Sequence, residues 1–319
     1  MKKVVITGAS GYIGGQTAIV FAEAGWRVIG IDKNTPSKAI REFCKKFLVS
    51  PFESSESLRL IEKEQPDVVI HCGGSSLVGP SMSNPATYYQ NNFVATKKLL
   101  DTLIDRNITA RVIFSSSAAT YGEPIMTPIQ EEDPQMPVNP YGSSKLMVET
   151  MLQSYHTAYG LDFVSFRYFN ACGADSQGRH GQAPGATHII ARVLEAIIND
   201  KMFTLNGVDF PTEDGTCVRD YVHVEDIAWA HLISAMHPEI CPPGCYNIST
   251  GTGNSNREIL QTAFYVTGKT VTVEEVSSRA GDPAVLIGSS DKLKNATGWI
   301  PQKTLTDIIQ SAWDWYNKN

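Results

Sequence analysis

No two cysteines in this sequence are separated by two residues, and the six present, Cys44, Cys72, Cys172, Cys217, Cys241 and Cys245, are scattered. That spacing excludes a zinc ribbon and offers no disulfide framework, so reduced and mostly buried thiols are expected and no metal site is expected. Long apolar runs are missing as well. Nothing approaches ~18 consecutive apolar residues, and the opening MKKVVITG passes into a strand pattern with no export segment. A membrane span is excluded on that count, and a cytoplasmic protein is expected. Positive charge is short: 27 Lys and Arg stand against 33 Asp and Glu, a net charge of -6. Without a basic surplus to neutralise phosphates, nucleic acid is not expected as a partner. Internal repeats and low-complexity tracts are absent too, and disorder is not the expectation.

What is there is an ordinary globular composition, 42% hydrophobic and 19% charged over 319 residues. That length suffices for one large domain and a smaller appended one. Lys3 to Thr7, Arg27 to Ile31, Asp67 to His71 and Arg111 to Ser115 read as strands, with helical periods between them. These runs are almost continuously apolar, so both faces of the sheet must be covered, as in a parallel sheet with crossover helices. A doubly wound parallel α/β sheet of the Rossmann type is the fold this predicts. Phe163 to Tyr168 adds a strand after a helix over Tyr141 to Tyr159, whose Leu146, Met151, Leu152 and Tyr155 recur near helical spacing. Beyond Asn170 the long polar loop ADSQGRHGQAPGA marks a change of texture. We therefore divide the chain into residues 1–170 and a smaller, mainly α+β part over 171–319. Residues from about 218 to 250 return to the first part, because HVEDIAWAHLISAM reads as another helix covering the sheet, and VSSRAGDPA reads as a substrate loop.

The string VVITGASGYIGGQTA sets Gly8, Gly11 and Gly14 directly after the first strand and at the start of a helix, with Tyr12 and Ile13 among them. A tight strand-to-helix turn needs a residue without Cβ, and a pyrophosphate needs bare N–H groups at the positive end of a helix. Turn glycines alone would give the same triplet; its position in a strand-turn-helix context points to a dinucleotide. Asp32 closes the second strand, where a carboxylate accepts from a ribose diol and repels a 2′-phosphate. NAD is thus expected over NADP, although Lys33 softens the electrostatic argument and a turn or capping role would also use an aspartate. This makes 1–170 the NAD-binding part.

In NPYGSSKLMVE, Tyr141 and Lys145 lie four apart and share a helix face. A phenol of reference pKa near ~10 must ionise near neutrality to take a proton, a shift worth about 4 kcal/mol. We expect the nearby ammonium to supply much of it. Ser115, Ser116 and Ser117, in VIFSSSAATYG, fall at the carboxyl edge of the sheet, where α/β sites gather polar groups.

With its serine, tyrosine and lysine, the chain resembles the extended short-chain dehydrogenase/reductase family, and most closely its UDP-glucose 4-epimerases. The likeness runs through TGASGYIGG, YYQNN, FSSSAATYG, PYGSSKLMVE, RYFNACGA, PTEDGTCVRDYVHV and RAGDPA. It implies NAD as cofactor, a UDP-sugar as substrate, inversion at C4 through a 4-keto sugar, and a homodimer paired through helices at about Asn84 to Arg106 and Tyr141 to Tyr159. Ser117, Tyr141 and Lys145 would be catalytic. Asn91, Ser115 and Tyr168 would join the cofactor site. Asn170, His188, Thr204, Arg219, Arg279, Asp282 and Leu286 would contact the UDP-sugar; an Arg219–Asp220 ion pair and a helix-start role for His188 are the alternatives. Ser76 and Pro51 stand where the family often has a cofactor-binding lysine and an adenine-reading aspartate, so weaker NAD retention is expected. Leu286 stands where bulk governs room beside the sugar C2 substituent, and acceptance of N-acetylated or pentose UDP-sugars stays open. A sugar-nucleotide dehydratase would need an acid/base pair after the serines, where Ala118 and Ala119 stand. A non-catalytic NAD-binding protein would not need Ser117, Tyr141 and Lys145 intact.

Overall fold

The computed structural model describes residues 1–278 and 283–318. Its strands are β1 (Lys3–Thr7), β2 (Arg27–Asp32), β3 (Lys46–Val49), β4 (Val68–His71), β5 (Arg111–Ser117), β6 (Phe163–Tyr168), β7 (Asn170–Cys172), β8 (Phe203–Asn206), β9 (Val218–His223), β10 (Gly244–Ile248), β11 (Gly253–Ser255), β12 (Val273–Val276) and β13 (Val285–Leu286). The helices are α1 (Tyr12–Glu23), α2 (Lys38–Phe43), α3 (Ser55–Glu64), α4 (Val78–Ser83), α5 (Pro85–Tyr88), α6 (Ala95–Asp105), α7 (Pro140–Tyr159), α8 (Ile189–Ile198), α9 (Val224–Met236), α10 (Asn256–Thr267), α11 (Asp291–Thr297) and α12 (Leu305–Tyr316).

Seven strands form one parallel sheet in the order β10-β6-β5-β4-β1-β2-β3. Successive side chains of a strand point to opposite faces, and the two faces feed separate cores. Val4, Ile6, Val28, Ile70 and Ile113 pack on one side with Ile19, Phe21, Ile227 and Trp299. Val5, Ile29, Val69, Val112 and Phe114 pack on the other with Leu58, Leu99, Val148 and Leu152. This two-sided burial is why the strand runs are continuously apolar. The expected doubly wound sheet is therefore observed, with the crevice of a topological switch point between β1 and β4, where the crossovers diverge.

Two local departures matter. Strand β3 has no counterpart in the sequence reading: it lies at the sheet edge, and its KFLV residues are half-buried or exposed, so no apolar run announced it. The helix expected over Asn84 to Arg106 is interrupted by a π-helical segment, Tyr89–Val94, between α5 and α6. A π-bulge widens the turn by one residue and often occurs at functional sites.

The chain after Asn170 builds smaller sheets, β11-β9-β13 with β7 on β9, and the pair β12-β8. A third core of Ile190, Leu194, Phe203, Leu205, Tyr221, Ile259 and Ile308 holds them to α8, α10 and α12. Helix α9 packs along α1, and β10 joins the large sheet beside β6, while β9 stays with the smaller one.

Candidate active site

The turn from β1 into α1 is possible only because of its glycines. Gly8 has φ of +72°, and a Cβ there would stand 2.7 Å from the Cys72 carbonyl carbon; a Cβ on Gly14 would lie 2.2 Å from the Gly8 oxygen. Gly11 is the N-cap of α1 and gives no side-chain cap, and no acidic residue occupies the first turn. The amides at this helix end are left for an anion. Beyond the turn opens a cavity of about 410 Å³. Gly8, Gly11, Tyr12, Ile13, Gly14, Asp32, Asn91, Ser115, Tyr141, Lys145 and Tyr168 all line it. So do Pro51 and Ser76, together with Asn34, Glu53 and Gln182, which the sequence did not single out.

At one end Asp32 is held by backbone amides: Ser10 N–H donates to Oδ2 at 3.0 Å and Asn34 N–H to Oδ1 at 2.8 Å. A carboxylate fixed in this way at the end of β2 presents acceptors for a diol. Bare glycine backbone at the helix end and a fixed carboxylate beyond it are the donor and acceptor set that a dinucleotide without a 2′-phosphate requires, so these residues fit NAD. Asn91 and its neighbour Asn92 sit in the π-helical segment. Asn91 Nδ2 donates to Ser75 Oγ at 3.0 Å. Asn92 is the buried brace: its Oδ1 accepts from Ser75 N at 2.7 Å, and its Nδ2 donates to the Ser75 carbonyl and to Ser144 Oγ, each at 2.9 Å. It holds the loop after β4 against α7. The doubled asparagine in YYQNN was the only hint of it.

At the other end, α7 brings Tyr141 and Lys145 to the cavity. Asn139 caps this helix, its Oδ1 accepting from Gly142 N at 2.8 Å, and Pro140 starts it. Strand β5 runs two residues further than expected, so Ser117 pairs in register with Tyr168 of β6. Ser117 Oγ accepts from Ala119 N at 3.1 Å, and its hydroxyl lies near enough to the Tyr141 phenol to favour its ionised form. Lys145 Nζ donates to the Ser115 carbonyl at 2.6 Å and lies 4.8 Å from the centre of the Phe114 ring and 5.9 Å from that of Tyr141. The expected acidification of Tyr141 by this ammonium is corrected here. Burial pushes the phenol above its ordinary value, Ser117 pulls it back and Tyr88 adds to the rise. Lys145 directs its amine to a carbonyl and an aromatic face, and burial draws it down to about 8 against the opposing pull of Cys72 and Glu149.

The residues expected at the UDP-sugar divide. Asn170, Arg219 and Leu286 share the small sheet: Asn170 pairs with Tyr221, Leu286 with Arg219, and Asn170 Nδ2 donates to the Asp220 carbonyl at 2.9 Å. The alternative Arg219–Asp220 ion pair is not formed. Neighbours on a strand face opposite ways; Asp220 is fully buried and accepts from Thr250, Gly251 and Gly288, while Arg219 Nη1 donates to the Val218 carbonyl at 2.9 Å. Burial raises the Asp220 carboxyl to about 6. His188 is the N-cap of α8, with its Nε2 against Gln182 Oε1. Thr204 lies on the β8–β12 pair, with Oγ1 3.4 Å from Glu274; like Asn170, His188, Arg219 and Leu286, it is not among the residues lining the cavity described above. Arg279 and Asp282 lie outside the described residues. Among the described residues no cluster of side chains could hold a metal ion.

Known proteins are similar to this chain in sequence and fold. The UDP-glucose 4-epimerase of Halalkalibacterium halodurans is 38% identical over 99% of this chain and 96% of its own length. The structure of UDP-glucose 4-epimerase from Brucella ovis in complex with NAD superposes with a TM-score of 0.93, at 37% identity and covering 98% of each chain. That of the Bifidobacterium longum enzyme in complex with NAD+ and UDP gives 0.91, at 32% identity, covering 100% of this chain and 99% of the other. A match to the NAD dependent epimerase/dehydratase family model spans residues 4–249, from the first strand through β10, so the chain that builds this cavity belongs to that family.

Proposed function

We propose that the protein inverts C4 of a UDP-sugar, interconverting UDP-glucose and UDP-galactose through a 4-keto intermediate. The observation that carries this reading is that Tyr141 and Lys145 line the same cavity as the glycine turn and Asp32, with Ser117 beside the Tyr141 phenol at the end of β5. Gly8, Gly11 and Gly14 would receive the pyrophosphate of NAD and Asp32 its adenosine ribose. Bound there, NAD supplies a hydride acceptor that can also return the hydride, and its pyridinium charge favours an ionised phenol nearby. Ser117 orients the O4 hydroxyl of the sugar, and Tyr141 takes its proton as C4 is oxidised, then gives it back when C4 is reduced on the opposite face. Lys145 would hold the nicotinamide ribose and keep a cation beside the site. Asn170, Arg219 and Leu286, on one small sheet, receive the UDP-sugar; an arginine fork suits a diphosphate.

The family also contains dehydratases, whose elimination needs an acid and a base beside the serine. Here Ala118 and Ala119 occupy the 3-10 turn after Ser117, which favours epimerisation. Residues 1–170 are read as the NAD-binding domain and 171–319 mainly as the substrate domain. An apolar groove of Phe93, Pro137, Leu146, Met147 and Met151 along α7 supports a homodimer paired through this helix and the Asn84 to Arg106 stretch. Sedimentation at micromolar concentration should give a dimer, and a monomer removes that reading. Free cysteines and the absence of any membrane-spanning helix among the described residues support a cytoplasmic location. Incubation with UDP-galactose, UDP-N-acetylgalactosamine and UDP-arabinose, each followed by separation of the C4 epimers, should convert UDP-galactose to UDP-glucose. No C4 epimer from any of the three overturns the reading.

A further inference from the structure

Beneath the serines lies a buried ion pair that the chemistry above leaves unused. Glu149 follows Lys145 by one turn of α7, so Tyr141, Lys145 and Glu149 succeed one another at four-residue intervals on one helix face. Its carboxylate meets the Arg167 guanidinium at 2.8 Å, and both side chains are only 4% exposed. Arg167 comes from β6, paired in register with Ser116 of β5. Ser116 Oγ donates to Glu149 Oε1 at 2.5 Å, and Gln135 Nε2 donates to Oε2 at 3.1 Å. On its far side Arg167 Nη1 donates to the Tyr121 hydroxyl at 2.7 Å and the Glu131 carbonyl at 3.0 Å, and that hydroxyl donates to Asn247 Oδ1 at 2.7 Å. One carboxylate thus ties the end of β5, next to Ser117, to the helix bearing Tyr141 and Lys145.

Such a pair is a poor device for stability alone. Desolvation of two charges offsets their attraction, and apolar residues of similar volume would fasten α7 to the sheet as well. Charge-assisted bonds instead supply direction: they fix the Ser116 rotamer and the level of α7 relative to β5. We propose that Glu149, locked by Arg167, is a positioning residue for the C4 chemistry: it sets the approach of Ser117 to Tyr141 and adds negative charge to the helix face that carries Lys145. The assignment rests on the epimerase reading above. Around Lys145 stand Tyr141 and Glu149 from α7, His71 and Cys72 from the end of β4, and Tyr168 from β6. Of these, Glu149 favours the ammonium, with Arg167 as its counter-charge, while burial keeps the Cys72 thiol protonated, pushed up to about 12.

The test compares the wild type with Glu149→Gln and with the double variant E149M/R167M. The first keeps an acceptor for Ser116 and removes the charge; the second replaces both charges with apolar bulk. We expect both to lower kcat for UDP-galactose by about tenfold or more, with KM within about twofold; Glu149→Gln, which removes only the negative charge, should also move the high-pH limb of the kcat profile to lower pH. The double variant should keep the wild-type unfolding midpoint, which guards against a Glu149→Gln protein destabilised by an unpaired guanidinium. A folded double variant with wild-type kcat overturns the assignment, as does a Glu149→Gln enzyme with an unmoved limb, and so does a double variant that cannot fold, because the pair is then structural. A wild type that forms no C4 epimer overturns the epimerase reading, and the assignment with it.

Discussion

At the scale of single residues the account turns on a phenol and an amine whose environments oppose their charged forms. Burial raises Tyr141 and lowers Lys145 to about 8. The cationic form of Lys145 is the useful one, so kcat should fall as pH rises through about 8; a kcat profile flat from pH 7 to 9 contradicts this. Tyr141→Phe removes the phenol hydroxyl beside Ser117 while leaving the ring in place. We expect kcat to fall by about 10² to 10⁴-fold, with UDP binding unchanged by calorimetry. Identity of these residues was legible in the sequence, because YxxxK after a serine-ended strand carries both spacing and context. Their charge states were not. Helical spacing fixes which face a lysine shares, but the aim of its amine was decided by the Ser115 carbonyl and the Phe114 ring, which belong to a strand 30 residues earlier.

At the scale of elements the informative feature is the π-helical segment Tyr89–Val94. It turns Asn91 toward the cavity and Asn92 into the interior, where one amide satisfies both polar groups of Ser75 and the Ser144 hydroxyl. Asn92→Ala leaves the Ser75 N–H and C=O without these partners, while Ser144 Oγ keeps its bond to the Tyr141 carbonyl, at a cost of about 1–3 kcal/mol. Differential scanning calorimetry should show a lower unfolding midpoint, and NAD titration should show weaker binding because the loop carrying Ser75 and Ser76 loses its brace. Unchanged values on both counts contradict that role. The sequence gives a helix here by periodicity but not its bulge, since one extra residue in a turn barely alters an apolar repeat. Edge strand β3 escaped notice for a related reason: a strand exposed on one side lacks the continuous apolar run by which its buried neighbours were found. The central strands, covered on both faces, were legible nearly residue by residue. Thr204 shows the opposite limit, a position on the β8–β12 pair carried by resemblance alone.

At the scale of the whole molecule, buried histidines set the response to acid. His71 sits between the hydroxyls of Thr7 and Thr96, and His231 between those of Thr17 and Tyr168; burial pushes both down to about 3. An unfolded histidine titrates near ~6.5. Between that pH and about 3 the unfolded chain therefore binds protons that the native one refuses, and stability is lost as pH falls. By pH 5 each costs about 2 kcal/mol. Asp220 acts in the opposite sense, since its raised carboxyl takes a proton in the native state first. Two histidines outweigh one carboxyl, so the thermal midpoint should drop between pH 7 and pH 5; a constant or rising midpoint contradicts this balance. The same architecture joins the turn of β1, the end of β5 and the helix α7 around one cavity, and the central claim is that they move a hydrogen off C4 and return it to the other face. The most direct test is to supply UDP-galactose deuterated at C4 and determine where the label resides in the UDP-glucose formed. The account predicts deuterium retained at C4 with no hydrogen incorporated from solvent; protium at C4 of the product would contradict it.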